Sequence, residues 1–180
     1  MNAFDDARKV EARSMAVLLP FLDEHASRGL VLTSRGTLAR HLQLIAGDVL
    51  YNDENDRMWS VEVKCEEEQK YGNLFLETWS NRNLECRHSH AERGSNQGWL
   101  HHCRADILFY YFLSTDELYV LSLFRLKRWA FGFGDTPGRI YGYPERRQDK
   151  RAQRNDTWGR CVPIVDLERA LGGAMKKCNP

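Results

Sequence analysis

The chain has 180 residues, and its Lys and Arg nearly balance its Asp and Glu, leaving a formal charge of +1 at pH 7. That length suits one domain, or one domain with an appendage, around a buried core. The near-zero sum tells against nucleic-acid binding by bulk charge and leaves the distribution of charge to decide. There is no long apolar run, and Asp5 and Asp6 fall where a secretory leader would be basic, so neither a membrane span nor a leader is expected. Five cysteines, an odd number without disulfide-framework spacing, suit a reducing, cytoplasmic setting.

In chain order, Phe4 to about Ser27 reads as a helix, with Phe4, Glu11, Met15, Leu18 and Leu22 on one face. Asn2 suits its cap, Asp5 and Asp6 its N-terminal dipole, and Pro20 marks a kink or interruption. Glu11 is the charge on that stripe. Leu30 to Thr33 is a short strand or an extended connection.

Leu42 to Tyr51 then reads as a strand, and Gly47 to Lys64 as a hairpin around the polar turn Asn52 to Arg57. In its second arm Trp59, Val61, Val63 and Cys65 alternate with Ser60, Glu62, Lys64 and Glu66, so Glu62 and Lys64 share a face. A turn centred near Asn55 sets Asp48 opposite Glu62. Facing carboxylates repel unless a cation lies between them, and a hard cation takes oxygen ligands. From Ile45 to Glu68 eight acidic residues stand against Arg57 and Lys64. Two carboxylates and a lysine around one cation can hydrolyse a phosphodiester, with Lys64 positioning the water or stabilising developing charge. The plainer account is a solvated strand face carrying a Glu-x-Lys ion pair.

Leu74 to Ser80 reads as the next strand, with Glu77 either an edge charge or a further ligand. Asn81 to Gln97 is a polar loop. Cys86, His88 and His90, followed by His101, His102 and Cys103, either hold a structural zinc or are incidental to a polar surface. Gln97 to Arg104 is a short helix. Ile107 to Leu113 is a central buried strand, Ser114 to Glu117 a turn, Leu118 to Leu123 a strand and Phe124 to Phe131 a basic helix. Gly132, Gly134, Pro137 and Gly138 mark a loop without phosphate-loop spacing. Arg139 to Arg160 carries seven arginines and lysines against three acids, interspersed with Tyr141, Tyr143 and Trp158. It is either a phosphate-contacting, base-stacking arm or a solvated one. Val162 to Ile164 and Asp166 to Ala170 suggest a last strand and helix, and Lys176 to Pro180 a frayed end.

Asp48 on one strand and Glu62-Val63-Lys64 on the next resemble the signature of the PD-(D/E)xK, or restriction-endonuclease-like, nuclease superfamily, with Gly47 in place of the proline. The stretches Gly72 to Asn81 and Gly98 to Phe112, with Ala105-Asp106 at a junction, look like its third strand and its following helix and strand, as in phage-type and resolvase-like members. The resemblance covers about Glu11 to Phe124. It implies an αβββαβ core with a mixed central sheet flanked by helices, spanning residues 1–131, and a basic extension over residues 132–180. It further implies a Mg²⁺- or Mn²⁺-dependent nuclease in phage or mobile-element DNA processing or recombination. Asp48, Glu62 and the Val63 carbonyl would hold the metal, with Lys64 acting on the water. In such proteins a first-helix glutamate, here Glu11, often completes the site. The expected partner is nucleic acid, foremost DNA, with no membrane and with room for a homodimer. The alternative is an inactive module of the same fold that binds nucleic acid or protein, stabilised by zinc.

Overall fold

The structure is a computed structural model that describes residues 3–25, 28–31, 43, 46–80, 82, 97–148 and 156–180. The chain is mixed α/β with a mixed central sheet. It divides into two compact units, one of residues 7–69, 103–125 and 173–180, the other of residues 1–6, 70–102 and 126–172. Among the described residues no helix is long and apolar enough to cross a membrane.

The first unit is a six-stranded sheet beside helix α1 (Ala3–His25). Its strands are β1 (Arg28–Val31), β2 (Val49–Asn52), β3 (Met58–Glu66), β5 (Ile107–Phe112), β6 (Glu117–Ser122) and β11 (Met175–Cys178), adjacent in that order. Only the β3–β5 pair is parallel. Leu18 and Leu22 of α1 pack on Val49, Val61, Phe109, Tyr111 and Leu118, and the Phe21 and Phe109 rings meet edge to face at 6.4 Å. Each such side chain, fully buried, contributes about 1.5–3 kcal/mol. α1 runs on through Pro20, and Glu11 is exposed. Strand alternation turns Ser60, Glu62 and Lys64 away from the α1 face.

Three features differ from the sequence reading. Of the strand expected from Leu42, Leu42, Leu44 and Ile45 lie outside the described residues, Gln43 and Ala46 are helical, Gly47 turns the chain with φ at 79°, and the described strand starts at Val49. Leu74 to Ser80 is not the third core strand. It forms β4 (Asn73–Trp79), which pairs with β10 (Trp158–Pro163), while the apolar Ile107–Phe112 segment takes the available edge of β3. A strand covered on both faces buries more apolar area there than the alternating β4 would. The antiparallel run through the core is therefore β1–β2–β3. Lys176 to Pro180 is not wholly frayed either. Met175–Cys178 pairs with β6, with Lys177 on Glu117 and its ammonium 5.9 Å from the Tyr119 ring centre.

The second unit holds a sheet of β4, β10 and β9 (Glu145–Arg147), in that order, and a short hairpin of β7 (Gly132–Phe133) and β8 (Thr136–Pro137). It also holds the helical turn α2 (Trp99–His102), most of α3 (Leu123–Phe131), and α4 (Ile164–Leu171). The Gly132–Gly138 stretch is thus a folded hairpin rather than a loop. A Cβ on Gly132 would lie 2.1 Å from the Thr136 oxygen and one on Gly138 2.4 Å from the Ala130 oxygen, so only glycines allow so tight a return.

The β2–β3 turn is built around Asp53. Its carboxylate accepts the N–H groups of Asn55 at 2.9 Å and Arg57 at 3.0 Å and the Trp59 indole N–H at 2.9 Å. Asp56 supplies the left-handed residue with φ at 58°. Val49 consequently pairs with Val61, the register that a turn centred near Asn55 predicts.

Two outcomes are expected. Gly47→Ala places a Cβ 2.5 Å from the Val61 oxygen at a positive φ, and should cost at least about 2 kcal/mol in urea unfolding. The Trp59 indole first, then the backbone N–H groups, hold the Asp53 carboxyl below its usual range. The unfolded state therefore takes up the proton first as pH falls. The contribution of Asp53 is fully present above about pH 4 and is lost below it. Asp53→Asn should flatten the acid limb of a Tm-against-pH curve by that contribution.

Candidate active site

Asp48 comes immediately after the Gly47 turn and immediately before the first residue of β2. Its backbone N–H donates to the Val61 oxygen at 2.7 Å, and its own Oδ2 accepts the Val63 N–H at 2.8 Å. The side chain thus extends a ladder that the backbone has left, which holds the carboxylate at the edge of β3. Its Oδ1 accepts the Gln43 amide at 2.6 Å. Within a strand the N–H and C=O of one residue point to the same neighbour, so the Val63 carbonyl faces the same edge as its N–H.

Glu62 is 8% exposed. Its Oε1 lies 2.5 Å from the Lys64 ammonium, and the Cys103 thiol donates to its Oε2 at 3.4 Å. The two carboxylates are thus compensated by the protein's own groups, Asp48 by two donors and Glu62 by Lys64. Sequence reasoning anticipates that Glu62 and Lys64 share a face, where they form an ion pair, but misses Gln43 and Cys103. Gln43 lies in a stretch that reads as a strand, and Cys103 arrives from another part of the chain.

Burial first, then the Glu62 charge, pushes the Cys103 thiol up to about 12, and burial first pushes the Cys65 thiol up to about 11, with Glu11 adding to it. Both stay protonated near neutrality and are poor nucleophiles. Cys65, Cys103, Cys161 and Cys178 are thiols rather than disulfides.

Asp106 has a structural task. Its carboxylate accepts the Ser60 N–H at 3.0 Å and the Ser60 hydroxyl at 2.8 Å, clamping the start of the parallel β3–β5 pairing. Glu77 lies on β4 and accepts the Ser80 hydroxyl at 2.6 Å. His101 stacks on Phe131 at 4.3 Å, and burial, then Lys127 and His102, lowers its pKa. Cys86, His88 and His90 lie outside the described residues.

Among the described residues no three His, Cys, Asp or Glu side chains converge to hold a metal ion. The donors that the sequence singles out for one are the Asp48 and Glu62 carboxylates with the Val63 carbonyl. This all-oxygen set suits Mg²⁺, which binds through one or two carboxylates and keeps several waters.

The basic stretch is largely folded. Arg147 pairs with Asp156 at 2.7 Å, Arg160 donates to the Tyr143 oxygen at 2.7 Å and meets Glu145 at 3.3 Å, and Arg82 reaches Glu145 at 2.8 Å. Lys150, Arg151 and Arg154 lie outside the described residues. Arginines also lie over rings, Arg128 on Phe133 at 4.8 Å and Arg160 on Tyr141 at 5.7 Å. Phe133 and Tyr141 are exposed.

No protein-family model, no curated protein and no solved structure matches the chain.

Lys64→Met should lower metal-free stability by about 1–3 kcal/mol, because a buried carboxylate loses its cationic partner. Adding Glu62→Gln should recover most of that loss. The check is a double-mutant cycle by urea unfolding in EDTA.

Proposed function

We propose that this chain is a metal-dependent nuclease of the restriction-endonuclease-like kind, hydrolysing phosphodiester bonds in DNA. The observation that carries the reading is the Asp48 carboxylate held on the Val63 N–H of the strand that also carries Glu62 and its ion pair with Lys64. The element order adds partial support: a helix, three antiparallel strands with Asp48 before the second and Glu62-Val63-Lys64 on the third, then, after the intervening β4 and a helical turn, a strand parallel to the third.

Asp48, Glu62 and the Val63 carbonyl would hold Mg²⁺ or Mn²⁺. When bound, the cation polarises the phosphoryl oxygen and acidifies water. The protein's own contribution is positional. The Val63 N–H and Gln43 amide fix the Asp48 carboxylate. Glu62 holds the Lys64 ammonium on the same face, where it can orient a water or stabilise charge developing on the phosphate. The aromatic-backed arginines of the second unit offer contacts to the nucleic-acid backbone.

The test is cleavage of duplex, single-stranded and branched DNA and of RNA with Mg²⁺, Mn²⁺ or EDTA. Asp48→Asn should abolish cleavage. Lys64→Ala should leave metal affinity measurable by calorimetry yet slow cleavage by about 10²–10³-fold, the scale of losing one positioned group. Persistent cleavage by both folded variants would make the trio structural. No cleavage by the parent chain on any substrate would favour the inactive binding module.

A further inference from the structure

The second unit contains an open cleft of about 580 Å³ lined by Trp129, Arg139, Tyr143, Asp166 and Arg169, with Gly142 at its wall. Its volume lies in the range of small-ligand sites, about 300–1,000 Å³. The Gly132–Gly138 hairpin creates it by returning the chain onto α3, where the Arg139 N–H donates to the Trp129 oxygen at 3.0 Å. The Trp129 and Tyr143 rings lean together at 5.7 Å and 48°. The Tyr143 hydroxyl donates to Asp166 Oδ2 at 3.2 Å, and Arg169 lies 3.5 Å from Oδ1. Burial first, then Asp166, raises the Tyr143 pKa, so the phenol remains a donor near neutrality.

Two guanidiniums therefore stand against one carboxylate that is already engaged by Tyr143 and Arg169. No carboxylate among the described residues pairs with Arg139. A ligand that satisfies this lining is an anion carrying a flat aromatic body, with polar edges for Asp166 and Tyr143. An acidic peptide would supply the charge but leave the indole without a planar partner. A nucleotide supplies all three: phosphate for Arg139 and Arg169, a base for the Trp129 ring, and an amino or hydroxyl edge for Asp166. A base can lie on a ring only when it has left its own stack, so duplex does not fit.

We infer that the Trp129–Arg139–Tyr143–Asp166–Arg169 cleft binds an unpaired nucleotide of a single-stranded nucleic acid. The inference rests on the nucleic-acid part of the proposed function and not on cleavage.

The experiment is binding of a fluorescein-labelled single strand of about 12 nucleotides, long enough to span such a site, by the full chain in EDTA. Gly142 offers a clean plug, since a Cβ there meets nothing within 4 Å. Gly142→Leu and Trp129→Ala should each weaken single-strand binding about tenfold or more, the scale of one lost base stack. Arg139→Gln should weaken it and lower the salt slope by about one phosphate. Binding of the same sequence as duplex should be unaffected by Gly142→Leu. Unchanged single-strand affinity in folded Gly142→Leu and in Arg139→Gln overturns the assignment. So does equal competition by an acidic peptide of the same charge, or binding of free mononucleotides with none of the strand. The two readings separate: if the parent cleaves nothing yet binds the strand with the stated dependence on Gly142 and Arg139, the nuclease reading fails and the cleft stands. If the parent cleaves with no dependence on Gly142 or Arg139, the cleft fails alone.

Discussion

Everything at the candidate site depends on the pairing of β2 with β3, and that pairing depends on one carboxylate. Asp53 gathers two backbone N–H groups and the Trp59 indole into a turn of fixed length. A slip of one residue would exchange the two faces of β3, sending Glu62 toward Leu18 and Leu22 and Val61 away from them. The apolar packing on Val49 and Val61 therefore enforces the same register as the turn. Agreement between local chemistry and core burial at one register is what keeps Glu62 and Lys64 on the face turned away from α1.

Each acidic group of the candidate site is engaged by donors of the protein's own. The Asp48 carboxylate takes a place in the ladder that the chain vacated at Gly47, and the Glu62 carboxylate shares an ion pair with Lys64. Each oxygen engaged by one donor retains lone-pair capacity for another. The ion pair holds Lys64 against Glu62 and lowers the cost of burying that carboxylate.

Much of this is legible in sequence because it is local. Period-two alternation from Trp59 to Glu66 tells the faces apart, and the polar run from Asn52 to Arg57 marks the turn centre. The apolar Ile107–Phe112 run announces a buried strand. What is hidden depends on competition or on distance. Asn73–Trp79 alternates as well as any strand of the central sheet, and nothing within it says that β10 rather than β3 is its neighbour. Met175–Cys178 has no strong strand composition and is ordered through its pairing with β6. Gln43 and Cys103 reach the two carboxylates only once the chain is folded. The cleft beside Trp129 depends on Gly138 being small enough to lie against Ala130, a close approach invisible in spacing alone.

The route of the chain through the six-stranded sheet carries a kinetic consequence. Ser60 and Asp106, which clamp β3 to β5, are 46 residues apart, and Glu117 and Lys177, which join β6 to β11, are 60 apart. The local hairpin can close within microseconds. These distant pairings must bear loop-closure entropy before they stabilise anything. As the chain leaves the ribosome, the Asp48–Glu62 hairpin can form early while its β3 edge waits for Ile107–Phe112 to emerge. The β6 edge stays open longer, until Met175–Cys178 appears. Over that interval the nascent chain displays two unsatisfied strand edges, the kind of surface on which chaperones and misassembly act.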